Sequence, residues 1–322
     1  MEVFSTEKIY DFMRKRFAFL GLSSILFIAS IVLLFTKGLN FGIDFAGGTI
    51  VQVKYEQVAP IDKIRDTLKA TKYGNSIITK FGSDEEVVIR ITGSSSDLTN
   101  DISDEMHKIL VPTGNFEIRR IDMVGAKVGG ELREKGLMAL SLSLIVMLIY
   151  LSVRFEWRFA VASVFALVHD ITIAMGAISL FSVEVNLDIL AAILTLLGYS
   201  LNDTIIVFDR IREQIQTSKV NDLKEIINES VSKTLSRTTL TSLTTLFVVA
   251  TLYFFGGEII NGFSFTLLVG IIVGTYSSIF IAASFLVQLN FSIDDFRIKE
   301  SEKIKRQKEK EKLRAMYEQG TV

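Results

Sequence analysis

In 322 residues the sequence has no cysteine, two histidines, two prolines and a single tryptophan. Without cysteine there is no disulfide framework, no thiol nucleophile and no Cys-ligated zinc. His107 and His169 stand far apart, so a histidine-based metal centre has nothing to build on and no metal site is expected. Net charge is lacking too: 35 Lys and Arg face 36 Asp and Glu, for a balance of −1. That gives no electrostatic footprint for nucleic acid. Two prolines beside 21 glycines also argue against a loop-rich or disordered chain. What the chain does have is apolar residues, 49% of the total, gathered into long runs. The class this implies is a membrane protein.

A helix needs about 20 apolar residues to cross a hydrocarbon layer roughly 30 Å thick. Six runs qualify, at 17–36, 137–153, 159–181, 187–208, 238–255 and 263–289. Arg14, Lys15 and Arg16 precede the first, as in a signal peptide, but its apolar run exceeds a signal-peptide core, so an uncleaved first span is expected. Orientation follows from basic residues in the short connections. Arg154 and Arg158 lie between spans 2 and 3, and Arg210, Arg212, Lys219, Lys224, Lys233 and Arg237 join spans 4 and 5. The connections 182–186 and 256–262 carry no Lys or Arg. Six spans then put every basic connection on one side, which makes both termini cytoplasmic. The expected division is a cytoplasmic N-terminus with span 1 (1–36), a translocated domain with its linker (37–136), spans 2–6 (137–289) and a charged cytoplasmic tail (290–322).

The translocated segment reads as strand 49–55, helix 61–70, strands 76–81 and 86–92 across a Gly82–Ser83–Asp84 turn, a helix from an Asp97 cap to 110, and strand 115–124. This β-α-β-β-α-β order is the split unit of a ferredoxin-like α+β domain. It holds no catalytic cluster, and His107 falls on a helix expected to be solvated. The tail alternates acid and base at three- and four-residue spacing, which supports an exposed helix. Contact with anionic lipid or a cytoplasmic partner is the alternative.

Ionisable groups inside spans are costly, about 2.5–3.5 kcal/mol each on insertion scales, so they face protein or water paths. Three positions stand out: His169 with Asp170 in span 3, Asp203 in span 4, and Arg237 at the start of span 5. Thr195, Tyr199 and Asn202 or Asp203 make one polar stripe at helical spacing, and Arg237, Thr241, Thr244 and Thr245 make another. Spans 4 and 5 are antiparallel, so a guanidinium at the mouth of span 5 is expected to reach Asp203. One reading is a proton-carrying carboxylate whose charge is set by Arg237 and burial; the other is a static ion pair pinning two helices. Asp170 shares a face with Ser163, Ala166, Ala174 and Ala177 and is expected to point inward. His169 lies about 100° away on the helix. It is therefore expected to make an interhelical hydrogen bond rather than a relay with Asp170. Gly270 and Gly274 form a GxxxG step, a packing signal.

Several stretches coincide with one family. NFGIDFAGGT at 40–49 follows span 1, VGAKVGGELREKG at 124–136 precedes span 2, span 3 contains LVHD, span 4 contains GYSLNDTIIVFDRIRE, and SRT opens span 5. Together they resemble the SecD/SecF family of membrane subunits of the bacterial Sec export machinery. The likeness covers all six spans and the outer domain. It implies a polytopic α-helical protein forming half of a pseudo-symmetric bundle of the RND superfamily, with one ferredoxin-like periplasmic domain. It implies an inner-membrane, non-enzymatic subunit that uses the proton-motive force to assist export, with no cofactor and H⁺ or Na⁺ as coupling ion. Implied partners are SecD, the SecYEG channel, SecA, YajC, translocating unfolded polypeptide and membrane lipids. In that family the Asp of the NDT motif and the following Arg belong to the proton path, here Asp203 and Arg237. Asn202, Tyr199 and Thr241 join them as pathway candidates from their polar stripes, and Asp170 as an ionisable group inside span 3 whose role is either functional or structural. Gly42, Asp44, Gly47 and Gly48 form the family's structural motif, expected to be a tight entry into the first strand rather than a phosphate loop. The linker 124–136 is the expected lever between spans and domain. An RND-type exporter of lipid or small molecules, and a purely structural scaffold, are the competing readings.

Overall fold

The computed structural model describes residues 8–92 and 102–318. A 3₁₀ turn, Met13–Lys15, leads into α1 (Arg16–Thr36), followed by β1 (Asn40–Phe41) and a one-turn helix α2 (Ile43–Ala46). The extramembrane domain then runs β2 (Gly48–Tyr55), α3 (Ile61–Lys69), β3 (Ile77–Phe81), β4 (Ser83–Thr92), α4 (Ile102–Leu110) and β5 (Phe116–Val124). After it come α5 (Ala126–Arg154), α6 (Trp157–Leu180), β6 (Glu184–Val185), α7 (Leu187–Thr217), α8 (Leu223–Phe255) and α9 (Glu258–Ser277). A π-helical turn, Ser278–Ala282, joins α9 to α10 (Ala283–Gln288), and α11 (Ile293–Glu318) forms the tail. Among the described residues six helical stretches are long and apolar enough to cross a membrane, and they match the six expected spans, two of which end one residue earlier than expected.

The domain's sheet has the order β3-β4-β2-β5, all neighbours antiparallel, as the split β-α-β unit requires. Alternation along β2 and β4 sends Val51, Val53, Val87 and Ile89 to one face, where α3 (Ile64, Leu68) and α4 (Met106, Leu110) cover them. All eight are 2% exposed or less. Gly82, in the left-handed region at φ 75°, reverses the chain so tightly that Phe81 pairs with Ser83, which lengthens β4 beyond its expected start. The expected Asp97 cap lies outside the described residues.

The helices divide into an inner trio, α6, α7 and α9, and an outer trio, α1, α5 and α8. In the inner helices half or more of each apolar window is buried, against 17% or less in the outer ones. Glycine permits the closest contacts. A Cβ at Gly270 would strike Leu196, and one at Gly274 would sit 3.1 Å from the Cβ of Ser200, so the GxxxG step packs α9 on α7. Gly176 similarly admits Ser30 of α1 against α6.

The linker segment 124–136 is helical from Ala126: α5 starts there, two residues beyond the end of β5, and continues unbroken to Arg154. Ala, Leu, Glu, Lys and Arg are good helix formers and outweigh the two-glycine step at 129–130. Gly129 also has a packing use, since a Cβ there would come within 3.0 Å of the Phe45 carbonyl oxygen.

The tail helix is anchored at its base and exposed beyond. Phe291, Ile293 and Phe296 are buried. Arg297 donates to the carbonyls of Ile215 (2.8 Å), Ser218 (2.7 Å) and Val220 (2.9 Å) and to Asn221 Oδ1 (2.5 Å), which closes the α7–α8 turn.

Candidate ion-coupling site in the helix bundle

Helical rotation places Ser200, Asp203, Thr204 and Val207 of α7 on the inward face. Asp203 is 1% exposed. Ser242 Oγ of α8 donates to Asp203 Oδ2 at 3.0 Å, and Thr275 Oγ1 of α9 donates to Ser242 Oγ at 2.8 Å. The chain Thr275–Ser242–Asp203 thus ties three helices through one carboxylate. Asp203 Oδ1 is buried and has no hydrogen-bond partner among the described residues, and neither has Thr238 Oγ1, one turn before Ser242. Buried polar atoms are ordinarily paired. An unpaired carboxylate oxygen beside rotatable hydroxyls is an atom at which a proton can be added or removed without breaking the Ser242 bond.

A second carboxylate flanks the same helix. Asp170 of α6, also 1% exposed, accepts from Ser200 Oγ at 2.6 Å. Gly274 lets α9 approach this pair, its Cβ position lying 3.5 Å from Asp170 Oδ2. Asp170 Oδ1 is 2.9 Å from His169 Nδ1, which corrects the expectation for the histidine. The rings of His169 and Phe27 lie parallel at 6.1 Å, and His169 Nε2 is buried without a partner among the described residues, so the bond it makes is to its own neighbour and not across helices. Consecutive Cα atoms are about 3.8 Å apart. Side chains of 100° different azimuth still meet when both bend along the helix surface.

Arg237 does not reach Asp203. It is exposed and makes no ion pair among the described residues. It stands instead in the wall of a cleft of about 680 Å³ with Asp209, Arg210, Glu213 and Lys233. Ser242 is five residues beyond Arg237, which is about 7.5 Å along the axis and some 140° around it. The face of α8 turned to Asp203 is therefore Thr238–Ser242, and the stripe of Arg237, Thr241 and Thr244 is its neighbour. Tyr199 and Thr241 do meet, the phenol donating to the Thr241 carbonyl at 3.2 Å. Asn202, Thr195 and Thr244 are exposed. Ser200, Ser242 and Thr275 were not singled out in the sequence. Their one signal was hydroxyl spacing, and α8 offers too many hydroxyls for spacing to choose among them.

The glycine motif joins this helix to the domain. Gly42 donates to the Val185 carbonyl at 2.8 Å, beside the parallel pairing of β1 with β6. Asp44 Oδ2 accepts from Leu187 N at 3.0 Å, satisfying an orphan amide at the start of α7. Gly47, at φ 78°, leaves so little room that a Cβ would lie 2.7 Å from Ala126 Cα. Gly48 opens β2 against the Ile91 carbonyl. The expected tight entry into the first strand is thus a junction of β2, α5 and α7. Arg90 of β4 adds an ion pair to Glu184 at 3.5 Å. Burial pushes the Glu184 carboxyl above its usual range; Arg90 opposes this and Asp44 adds to it.

Residues 105–292, more than half of the chain, match the family described as protein export membrane protein SecD/SecF, C-terminal. The chain belongs to the SecD/SecF family. Residues 32–57 match the SecD/SecF GG motif, the segment built around Gly42, Gly47 and Gly48. Protein translocase subunit SecF of Helicobacter pylori (strain ATCC 700392 / 26695) is 47% identical over 323 residues, covering 100% of both chains. The Escherichia coli O157:H7 SecF is 40% identical over 285 residues, 88% of each chain. A crystal structure of SecDF from Thermus, described as a translocon-associated membrane protein, superposes with a TM-score of 0.79 at 32% identity. It covers 89% of this chain, which spans 40% of that longer one. A SecDF in a super-membrane-facing form gives a TM-score of 0.69 at 31% identity. The six spans and the sheet domain are therefore SecD/SecF family features in arrangement as well as in sequence.

Proposed function

We propose that this chain is a non-enzymatic subunit that assists export of unfolded polypeptide across a bacterial inner membrane, driven by ion movement through Asp203. The observation that carries the reading is a buried carboxylate with one free oxygen, on a helix whose N-terminus is held by the junction that carries the domain. Ion occupancy at Asp203 shifts the balance between Thr275–Ser242–Asp203 and alternative hydroxyl pairings, and α7 transmits the change to Asp44, β6 and β2. One charge crossing 100 mV supplies about 2.3 kcal/mol. That energy biases a conformational change only where the two ion states favour different structures. Arg237, at the wall of the cleft, is the mobile cation that screens the path, with Asn202, Tyr199 and Thr241 beside it and Asp170 as a second carboxylate. H⁺ is the favoured coupling ion and Na⁺ the alternative.

The basic connections support a cytoplasmic tail side and a periplasmic sheet domain. Asn202, Thr195 and Thr244, polar and uncovered within spans, call for a protein neighbour. The family supports SecD in that place, with SecYEG, SecA and YajC as the wider assembly. The test is export of a precursor into inverted vesicles containing equal amounts of wild type or Asp203→Asn, with and without an imposed proton gradient. The variant is expected to assemble normally and to lose the gradient-dependent part of export while keeping the rest. Unchanged gradient stimulation would reduce Asp203 to a structural role.

A further inference from the structure

An apolar cleft of about 150 Å³ opens between α5, α6 and α7 at their domain-side ends. Phe41 and Phe45 roof it; Leu140, Ile171, Met175 and Ile193 are among the residues that line it. Ile171 lies nine residues inside the domain-side end of α6 at Leu180, about 14 Å along the helix axis, so the cleft reaches into the hydrocarbon layer. The charged residue in the lining is Arg133, at the mouth, four residues before the apolar window of α5 begins at Leu137. Its guanidinium lies 5.8 Å from the Phe41 ring centroid and makes no ion pair among the described residues.

Each feature restricts the occupant. An apolar slot entered from the membrane takes a hydrocarbon chain, since a polar segment would leave its backbone groups unsatisfied. A guanidinium at headgroup depth that makes no ion pair among the described residues, although Glu131 and Glu134 flank it in sequence, is open to a phosphate, which matches its fork of donors. We propose that this cleft is a binding site for an anionic phospholipid of the domain-side leaflet, a segment of one acyl chain in the slot and the phosphate on Arg133. Its walls include the third to fifth turns of α5 and the second turn of α7, two helices whose first residues form the Gly47–Ala126 and Asp44–Leu187 contacts. A seated lipid therefore bears on both helices that root the domain. The site does not depend on whether Asp203 carries ions.

The test uses the delipidated full chain in detergent, titrated with phosphatidylglycerol, phosphatidylcholine or glycerol phosphate and read by native mass spectrometry. Wild type is expected to hold one phosphatidylglycerol more tightly than phosphatidylcholine and not to hold glycerol phosphate. Arg133→Gln is expected to weaken phosphatidylglycerol binding about tenfold and erase the headgroup preference. Ile193→Trp, which fills the slot, is expected to abolish retention of both lipids, with Leu140→Phe as a second filling variant should the first fail to fold. Binding that ignores headgroup, or that survives both the charge and the filling changes, would overturn the site. So would loss of the lipid when the chain is assembled with a SecD, since that would make the partner the occupant.

Discussion

The sheet domain and the helix bundle both bury apolar side chains, but the bundle buries ionisable and hydroxyl groups among them. The domain's interior is a continuous apolar cluster of Val51, Val53, Ile64, Val87, Ile89 and Met106, each fully buried. The bundle's interior includes Asp170, His169, Ser200, Asp203, Ser242 and Thr238. Burying apolar surface stabilises a single arrangement by about 25 cal/mol per Å². Burying carboxylates and hydroxyls costs energy that hydrogen bonds only offset, and the hydroxyls have more than one pairing open to them. The first interior has one way to pack; the second holds hydroxyls and carboxylates that the proposed ion binding would re-pair. The junction at Gly42–Gly48 is where the domain is attached to the bundle.

The largest effect that would sharpen this contrast is in the domain. Ile89→Ala should destabilise it by about 2–5 kcal/mol, through the lost burial and the cavity left behind. Urea-dependent proteolysis of the membrane-embedded full chain should then cut the domain first and leave the helices intact. Removing a bundle hydroxyl should behave in the reverse way. Ser242→Ala takes the donor from Asp203 Oδ2, and helix–helix hydrogen bonds in membranes average about 0.6 kcal/mol, so a thermal-shift measurement should barely register it. Gradient-dependent export should nonetheless fall severalfold. A large stability loss with full export would break the comparison.

The smallest effect lies at the junction. Glu184 has its carboxyl raised above the ordinary 4.5 by burial, so the folded protein binds its proton more tightly than the unfolded chain does. Its contribution to stability is then greatest at acid pH and is lost as pH rises from about 4.5 through the raised value, after which it stays flat. Hydrogen exchange of the β4–β6 junction between about pH 4 and pH 7 should show protection falling in wild type and level in Glu184→Gln.

The spans and the domain topology were legible because each rests on a local period. Runs of about 20 apolar residues announce membrane helices, and two-residue alternation announces β2 and β4. Side-chain partnerships inside the bundle were not legible, since they depend on how each helix is rotated against its neighbours. The sequence around Ser242 carries six Ser or Thr in the eight positions 238–245, and only packing selects the one that meets Asp203. For the same reason the expected Arg237–Asp203 contact is absent while the unexpected His169–Asp170 contact is present. The two-residue pairing of β1 with β6 joins segments more than 140 residues apart, with no local signal at all.

The central claim is that ion state at Asp203 moves the domain through α7. The chain has no cysteine, so two can be introduced cleanly, at exposed Asp62 of α3 and exposed Asp188 of α7. Spin-label distances between them should be measured in proteoliposomes of the assembled complex, with and without a proton gradient, in wild type and in Asp203→Asn. The account predicts a distance distribution that shifts with the gradient in wild type and is fixed in the variant. A gradient-induced shift of equal size in both would contradict it.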